Sequence, residues 1–123
     1  MENTVQIKTR SHYIANRSDP ALSYYFFSYE IKILNNSKET IKLLSRYWHI
    51  IDAEGGSEHI YGPGVVGKNP VFKPGDSFQY TSFCPLPTPL GSMGGVFRMI
   101  DESGDAFDAR VDRFQLTAHP VLN

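Results

Sequence analysis

Apolar and polar positions along this chain alternate far more often than they recur at three- or four-residue intervals. Val5 and Ile7 alternate with Thr4, Gln6 and Lys8, which predicts a strand over Thr4–Ile14 with one buried face. Tyr25, Phe27, Tyr29, Ile31 and Ile33 share one face of a second strand, Tyr24–Asn35. Its first half is aromatic on both faces, so both sides there are expected to be covered. In Ile41–Asp52, one face carries Ile41, Leu43, Ser45, Tyr47, His49 and Ile51, and the other carries Lys42, Leu44, Arg46, Trp48, Ile50 and Asp52. Neither face is cleanly polar, and Trp48 is expected to anchor a core between two sheets. Glu58–Tyr61, Phe78–Phe83, Val96–Ile100 and Ala106–Val111 read as further strands, with Phe114 and Leu116 continuing the last beyond a bulge at Asp112-Arg113. No segment keeps a helical period with caps. About seven to eight strands separated by frequent turn signals predict an antiparallel β-sandwich.

The turns are legible in their chemistry. Asn16–Pro20, Asn35-Asn36-Ser37, Ala53–Gly56, Lys73-Pro74-Gly75-Asp76 and Glu102–Asp105 all carry Gly, Pro, Asn, Asp or Ser between apolar runs. His119-Pro120 is expected to end the last strand. The stretch Tyr61–Gly95 holds most of the glycine and proline, so its backbone needs unusual dihedrals and stiff bends. Pro85, Pro87 and Pro89 predict an extended, surface-lying segment that is neither helix nor central strand.

Composition narrows the function classes. The chain has 123 residues, 41% apolar and 20% charged, which suits one compact domain spanning 1–123. A net charge of −1 argues against nucleic-acid binding through many phosphate contacts. No run approaches the roughly 20 apolar residues of a membrane helix, and the N-terminus lacks the apolar core of a signal peptide. With Cys84 as the sole cysteine, no internal disulfide framework exists, and a cytoplasmic location is expected.

LLSRYW (Leu43–Trp48), GPGVVG (Gly62–Gly67), PGDSFQYTS (Pro74–Ser82) and CPLPTPLGSMGG (Cys84–Gly95) follow one another in the order and spacing of the ApaG family, which the chain resembles over nearly its full length. The resemblance implies an immunoglobulin-like or fibronectin-type-III-like sandwich. It also implies the association of the bacterial members with cobalt and magnesium resistance, and the protein-interaction role of related domains in eukaryotic proteins. Tyr47, Phe83 and Asp112 stand where that family commonly has His, Gly and Pro.

Two candidate sites emerge. Gly62, Gly64, Gly67 and Lys68 fit a glycine-rich loop, and Arg46 would join it if its strand lies beside the loop. Such a loop can gather N–H groups around a phosphate or pyrophosphate. The G-x-G-x-x-G spacing alone is weak, because Lys68-Asn69-Pro70 leaves no room for the helix that a dinucleotide fold needs. The simpler expectation is that these glycines serve sheet architecture. The second candidate is a partner surface of Phe83, Leu86, Pro87, Leu90 and Met93 on the stiff proline segment; the competing expectation is that these residues cap the core. His12, His49, His59 and His119 are scattered without close ligand pairs, so neither a metal site nor a cofactor is expected. Cys84 reads as a packing residue, and no catalytic residue is assigned. The sequence thus points to a non-enzymatic binding module with a protein partner, and a homodimer through an edge strand is compatible with it. The alternative is a nucleotide- or pyrophosphate-binding protein or hydrolase that uses the Gly62–Lys68 loop.

Overall fold

The computed structural model describes residues 5–118. Thr4 and His119-Pro120 lie outside them. Eight strands follow in order: β1 (Val5–Tyr13), β2 (Tyr25–Asn35), β3 (Ile41–Asp52), β4 (Ser57–Pro63), β5 (Val71–Phe72), β6 (Ser77–Leu86), β7 (Leu90–Asp101) and β8 (Ala106–Thr117). Their pairings are antiparallel. One sheet runs β1-β2-β6; the other runs β4-β3-β7-β8, with β5 also paired to β3. This is the expected β-sandwich. Asn16–Pro20, read as turn chemistry, becomes two short 3-10 turns, Ala15–Arg17 and Pro20–Leu22.

The inner faces follow from the alternation. Phe27, Tyr29, Ile31 and Ile33 of β2 are buried against Trp48, Ile50, Phe97 and Met99 of the other sheet. Trp48 fills the middle as expected, meeting Tyr29 at 5.5 Å and Phe97 at 5.8 Å between ring centroids, both edge-on. Edge-to-face contacts of this kind add stabilisation beyond simple burial. The Trp48 Nε1 and Tyr80 Oη atoms are buried without a hydrogen-bond partner.

Two bulges set the facing of the five-stranded sheet. Met93 pairs with Phe114 and Gly95 with Val111, so Asp112 and Arg113 together oppose Gly94. That is the expected bulge. The second, in β3, accounts for the mixed faces of Ile41–Asp52. Leu43 pairs with Met99 and Ser45 with Arg98, leaving Leu44 as the extra residue. Parity reverses there: Ile41 and Leu43 face the core before it, and Trp48 and Ile50 after it. Strict alternation along the sequence therefore misassigns half of this strand.

The proline segment is extended and neither helix nor central strand, as expected, but it is not wholly surface-lying, since Leu86 and Thr88 are buried. β6 continues through Pro85, which pairs with Phe26, and β7 begins at Leu90. Proline is tolerated because β6 is an edge strand, where one row of N–H groups has no ladder partner to lose. The crossing from one sheet to the other is thereby reduced to Pro87-Thr88-Pro89. Buried Thr88 pins it: its Oγ1 donates to Leu90 O (2.8 Å) and accepts from Ala53 N (3.0 Å). Asn35 plays a similar part between the sheets, donating to Glu39 O and Phe72 O while accepting from Ser37 N.

Candidate interaction surfaces

The glycine-rich loop leaves β4 at Gly62 and Pro63. Arg46 pairs with Gly62 across the β3–β4 ladder, so the structure does bring Arg46 to the loop. Its guanidinium lies over Gly62, where a Cβ would meet Nη1 at 2.8 Å. Nη1 donates to Pro63 O (2.9 Å) and Gly64 O (3.0 Å). The loop's own N–H groups are largely engaged as well. Gly64 N donates to Leu44 O, Val65 N to Lys68 O, and Lys68 N to Val65 O. Val66 and Gly67 form the two central residues of a tight hairpin turn, both with positive φ (43° and 76°). Gly64 also needs its positive φ of 59°, and a Cβ there would strike Lys68 O at 2.2 Å. Lys68 is exposed. No helix follows it among the described residues. The glycines thus shape a compact hairpin clamped by Arg46, and most donors that an anion would need already have carbonyl partners.

The five residues of the proposed partner surface do not lie together. Leu86 (4% exposed) and Met93 (1%) are core residues, which corrects the expectation that they project outward. The reason is that β6 and β7 extend to include them, and strand alternation turns them inward. Leu90 is exposed but belongs to the other sheet, paired with Thr117. Phe83 (55% exposed) and Pro87 remain on the surface.

Phe83 has companions that the sequence did not single out. It stacks on Phe26 at 5.4 Å, and Phe26 stacks on Tyr24 at 6.2 Å. Arg17 sits 4.8 Å above the Phe26 ring. Tyr24 is 41% exposed, and Leu22, two residues earlier, is 76% exposed. These residues give the outer face of the three-stranded sheet an aromatic run that ends at the β6 edge. The signal in the sequence is the aromatic pattern on both faces of Tyr24–Phe27; what it lacks is the partner strand that brings Phe83 beside it.

The outer face of the five-stranded sheet carries a different chemistry. Tyr61 packs on Tyr47 at 4.8 Å, Tyr47 stacks on His59 at 5.9 Å, and His59 stacks on His49 at 4.6 Å with rings 6° from parallel. The Tyr47 hydroxyl and His59 Nδ1 share a 2.8 Å hydrogen bond. His49 and His59, scattered in sequence, meet because they are directly paired in the β3–β4 ladder. The His49 imidazole is held below its usual protonation range by partial desolvation, then by the nearby Arg113 and His59. No group of three or more His, Cys, Asp or Glu side chains that could hold a metal gathers among the described residues. Cys84 is buried, and burial pushes its thiol up to about 12, so it is a packing residue and not an activated nucleophile.

This architecture defines a class: a two-sheet antiparallel domain of the immunoglobulin-like kind that presents an aromatic face on one sheet and a basic, histidine-bearing face on the other. Residues 15–101 match the ApaG domain. The chain is 47% identical to Protein ApaG of Mesorhizobium japonicum over 91% of its own length and 86% of that protein. It is 46% identical to Protein ApaG of Beijerinckia indica over 97% of its length and 94% of that protein. The crystal structure of a protein described as ApaA from Bordetella pertussis superimposes with a TM-score of 0.90 at 36% identity, covering 92% of each chain. The chain belongs to the ApaG family.

Proposed function

We propose that this chain is a non-enzymatic binding module that docks a protein partner on the outer face of its three-stranded sheet, around Tyr24, Phe83 and Pro87. The observation that carries this reading is the stacked run Tyr24–Phe26–Phe83, solvent-exposed at both ends. Aromatic side chains dominate the energetics of protein interfaces, and rings already held by stacking lose little freedom on binding. The run borders β6, a sheet edge against which a partner's backbone can also lie. The link to cobalt and magnesium resistance is then indirect, exercised in the cytoplasm through the partner.

The test is capture from native lysate by immobilised protein, followed by measured affinity for the captured protein. Tyr24→Ser with Phe83→Ser should weaken capture at least tenfold. Val71→Ser, which removes an exposed apolar side chain of the other sheet, should leave it unchanged. Undiminished binding by a folded double variant would remove this surface from consideration.

A further inference from the structure

The basic face of the five-stranded sheet contains a groove of about 450 Å³. Its floor is backbone at Gly94 and Gly95, Tyr47 and His49 line one side, Arg110 lines the other, and Arg113 reaches across between them. We propose that this groove binds a phosphate monoester of a molecule that also carries a flat ring.

The floor is bare for a steric reason. A Cβ on Gly95 would lie 1.9 Å from Tyr47 O, and one on Gly94 would press on the Arg113 backbone at 3.2 Å. Without side chains there, Arg113 crosses the sheet from the β8 bulge. Its Nη1 donates to Ser92 Oγ (3.0 Å), and its Nη2 donates to His49 Nδ1 (2.9 Å) and His49 O (3.1 Å). All three acceptors are neutral. Among the described residues, neither Arg113 nor Arg110 has a carboxylate partner; the groove's aspartate, Asp108, is held by Arg98 at 3.0 Å. Two guanidinium groups without counter-charge therefore face one groove; Arg110 makes no side-chain hydrogen bond among the described residues, so its planar fork can take phosphate oxygens, and Arg113 adds its charge and its remaining N–H groups.

Arg113 also fixes the imidazole. Arginine has no acceptor, so Nδ1 of His49 must accept, and the ring proton sits on Nε2. That leaves Nε2 of His49 as an N–H donor on a ring that Arg113 touches. The side lined by Tyr47 and His49 is aromatic, backed by the ladder from His49 through His59 and Tyr47 to Tyr61. A flat ring can lie against it. The groove volume falls in the range of small-molecule sites, roughly 300–1,000 Å³, and far exceeds a bare phosphate.

Titration of isotope-labelled protein with phenyl phosphate, inorganic phosphate and phenol tests the proposal. Phenyl phosphate should shift the Gly94 and Gly95 amides saturably and bind at least fivefold tighter than inorganic phosphate, while phenol should bind least. Arg110→Gln with Arg113→Gln should weaken binding tenfold or more. Asp108→Asn, which removes the groove's carboxylate without touching either arginine, should tighten it about two- to threefold. The His49 imidazole, which faces Arg113, Arg110, His59 and Tyr47, should protonate at higher pH once the anion is bound. A nucleoside monophosphate and free O-phosphotyrosine separate two sources of such a ligand, the tighter binder naming the class. Unchanged affinity in the double arginine variant, inorganic phosphate binding as tightly as phenyl phosphate, or both the nucleoside monophosphate and O-phosphotyrosine binding more weakly than phenyl phosphate would overturn the proposal.

Discussion

Val66 is the residue whose conformation its side chain resists most. A β-branched residue at φ 43° crowds its own carbonyl, and the left-handed region costs an L-residue about 1–2 kcal/mol. It sits there because the hairpin Val65–Lys68 closes over two residues, both of which must be left-handed. Val66→Asn should therefore stabilise the domain by roughly 1 kcal/mol, measured as a shift in urea midpoint at unchanged slope. A loss of stability would mean that the Val66 side chain contributes packing that its exposure does not suggest. At this scale the sequence is partly transparent. Gly75, with Pro before it and Asp after it, announces its own turn, and its φ of 88° agrees. Val66 announces nothing, because its dihedral is imposed by the pairing on either side. Arg46 lies between these extremes: its proximity to the loop depends on β3–β4 register, and its engagement with Pro63 O and Gly64 O depends on side-chain geometry that no spacing encodes.

At the level of strands, the two bulges separate what can be deleted from what cannot. Val111 and Phe114 both face the core although three positions separate them, an arrangement only an extra residue permits. Removing Asp112 restores a regular ladder with both residues still inward. Removing Arg110 instead turns Val111 outward and Asp112 into the core. The first deletion should cost on the order of 1 kcal/mol. The second should cost several, since it buries a carboxylate without a partner. Chemical denaturation of the two variants decides the matter; equal losses would contradict the inward facing of Val111 and Phe114. The Asp112-Arg113 bulge is readable in the sequence because it alone keeps Phe114 and Leu116 in phase with Val111. The Leu44 bulge is not, because the adjacent leucines Leu43 and Leu44 disguise the change of phase. Pro85 is legible only in part: its missing N–H forbids a central strand, as read, but which strands are edges is decided by topology.

Across the whole domain, buried weak acids tie stability to pH. Burial raises the Cys84 thiol to about 12, and it raises the Tyr29 and Tyr80 phenols as well. A raised folded-state value means that the native form keeps a proton which the unfolded chain has released. Stability should thus be fully present below pH 9, the ordinary thiol value, and be lost as pH rises through about 12. Between pH 9 and 10 the thiol acts ahead of the phenols, so Cys84→Ala should flatten the slope there, by up to about 1.4 kcal/mol per pH unit. A variant with the parent slope would show that the thiol is not the group responsible. Fold class is legible from alternation and turn chemistry, since both are local. The grouping of Tyr24 with Phe83, and of His49 with His59 and Arg113, is not, because each joins strands that only the sheet order makes neighbours.

The Thr88 pin has a mechanical implication. It helps hold the two sheets back to back, so the aromatic surface and the arginine-walled groove look away from one another across a shared interior. Filling either one leaves the other unobstructed. On the two proposals made above, a single small domain of this design would hold a macromolecule on one side and a metabolite-sized anion on the other, as a rigid coupler between them.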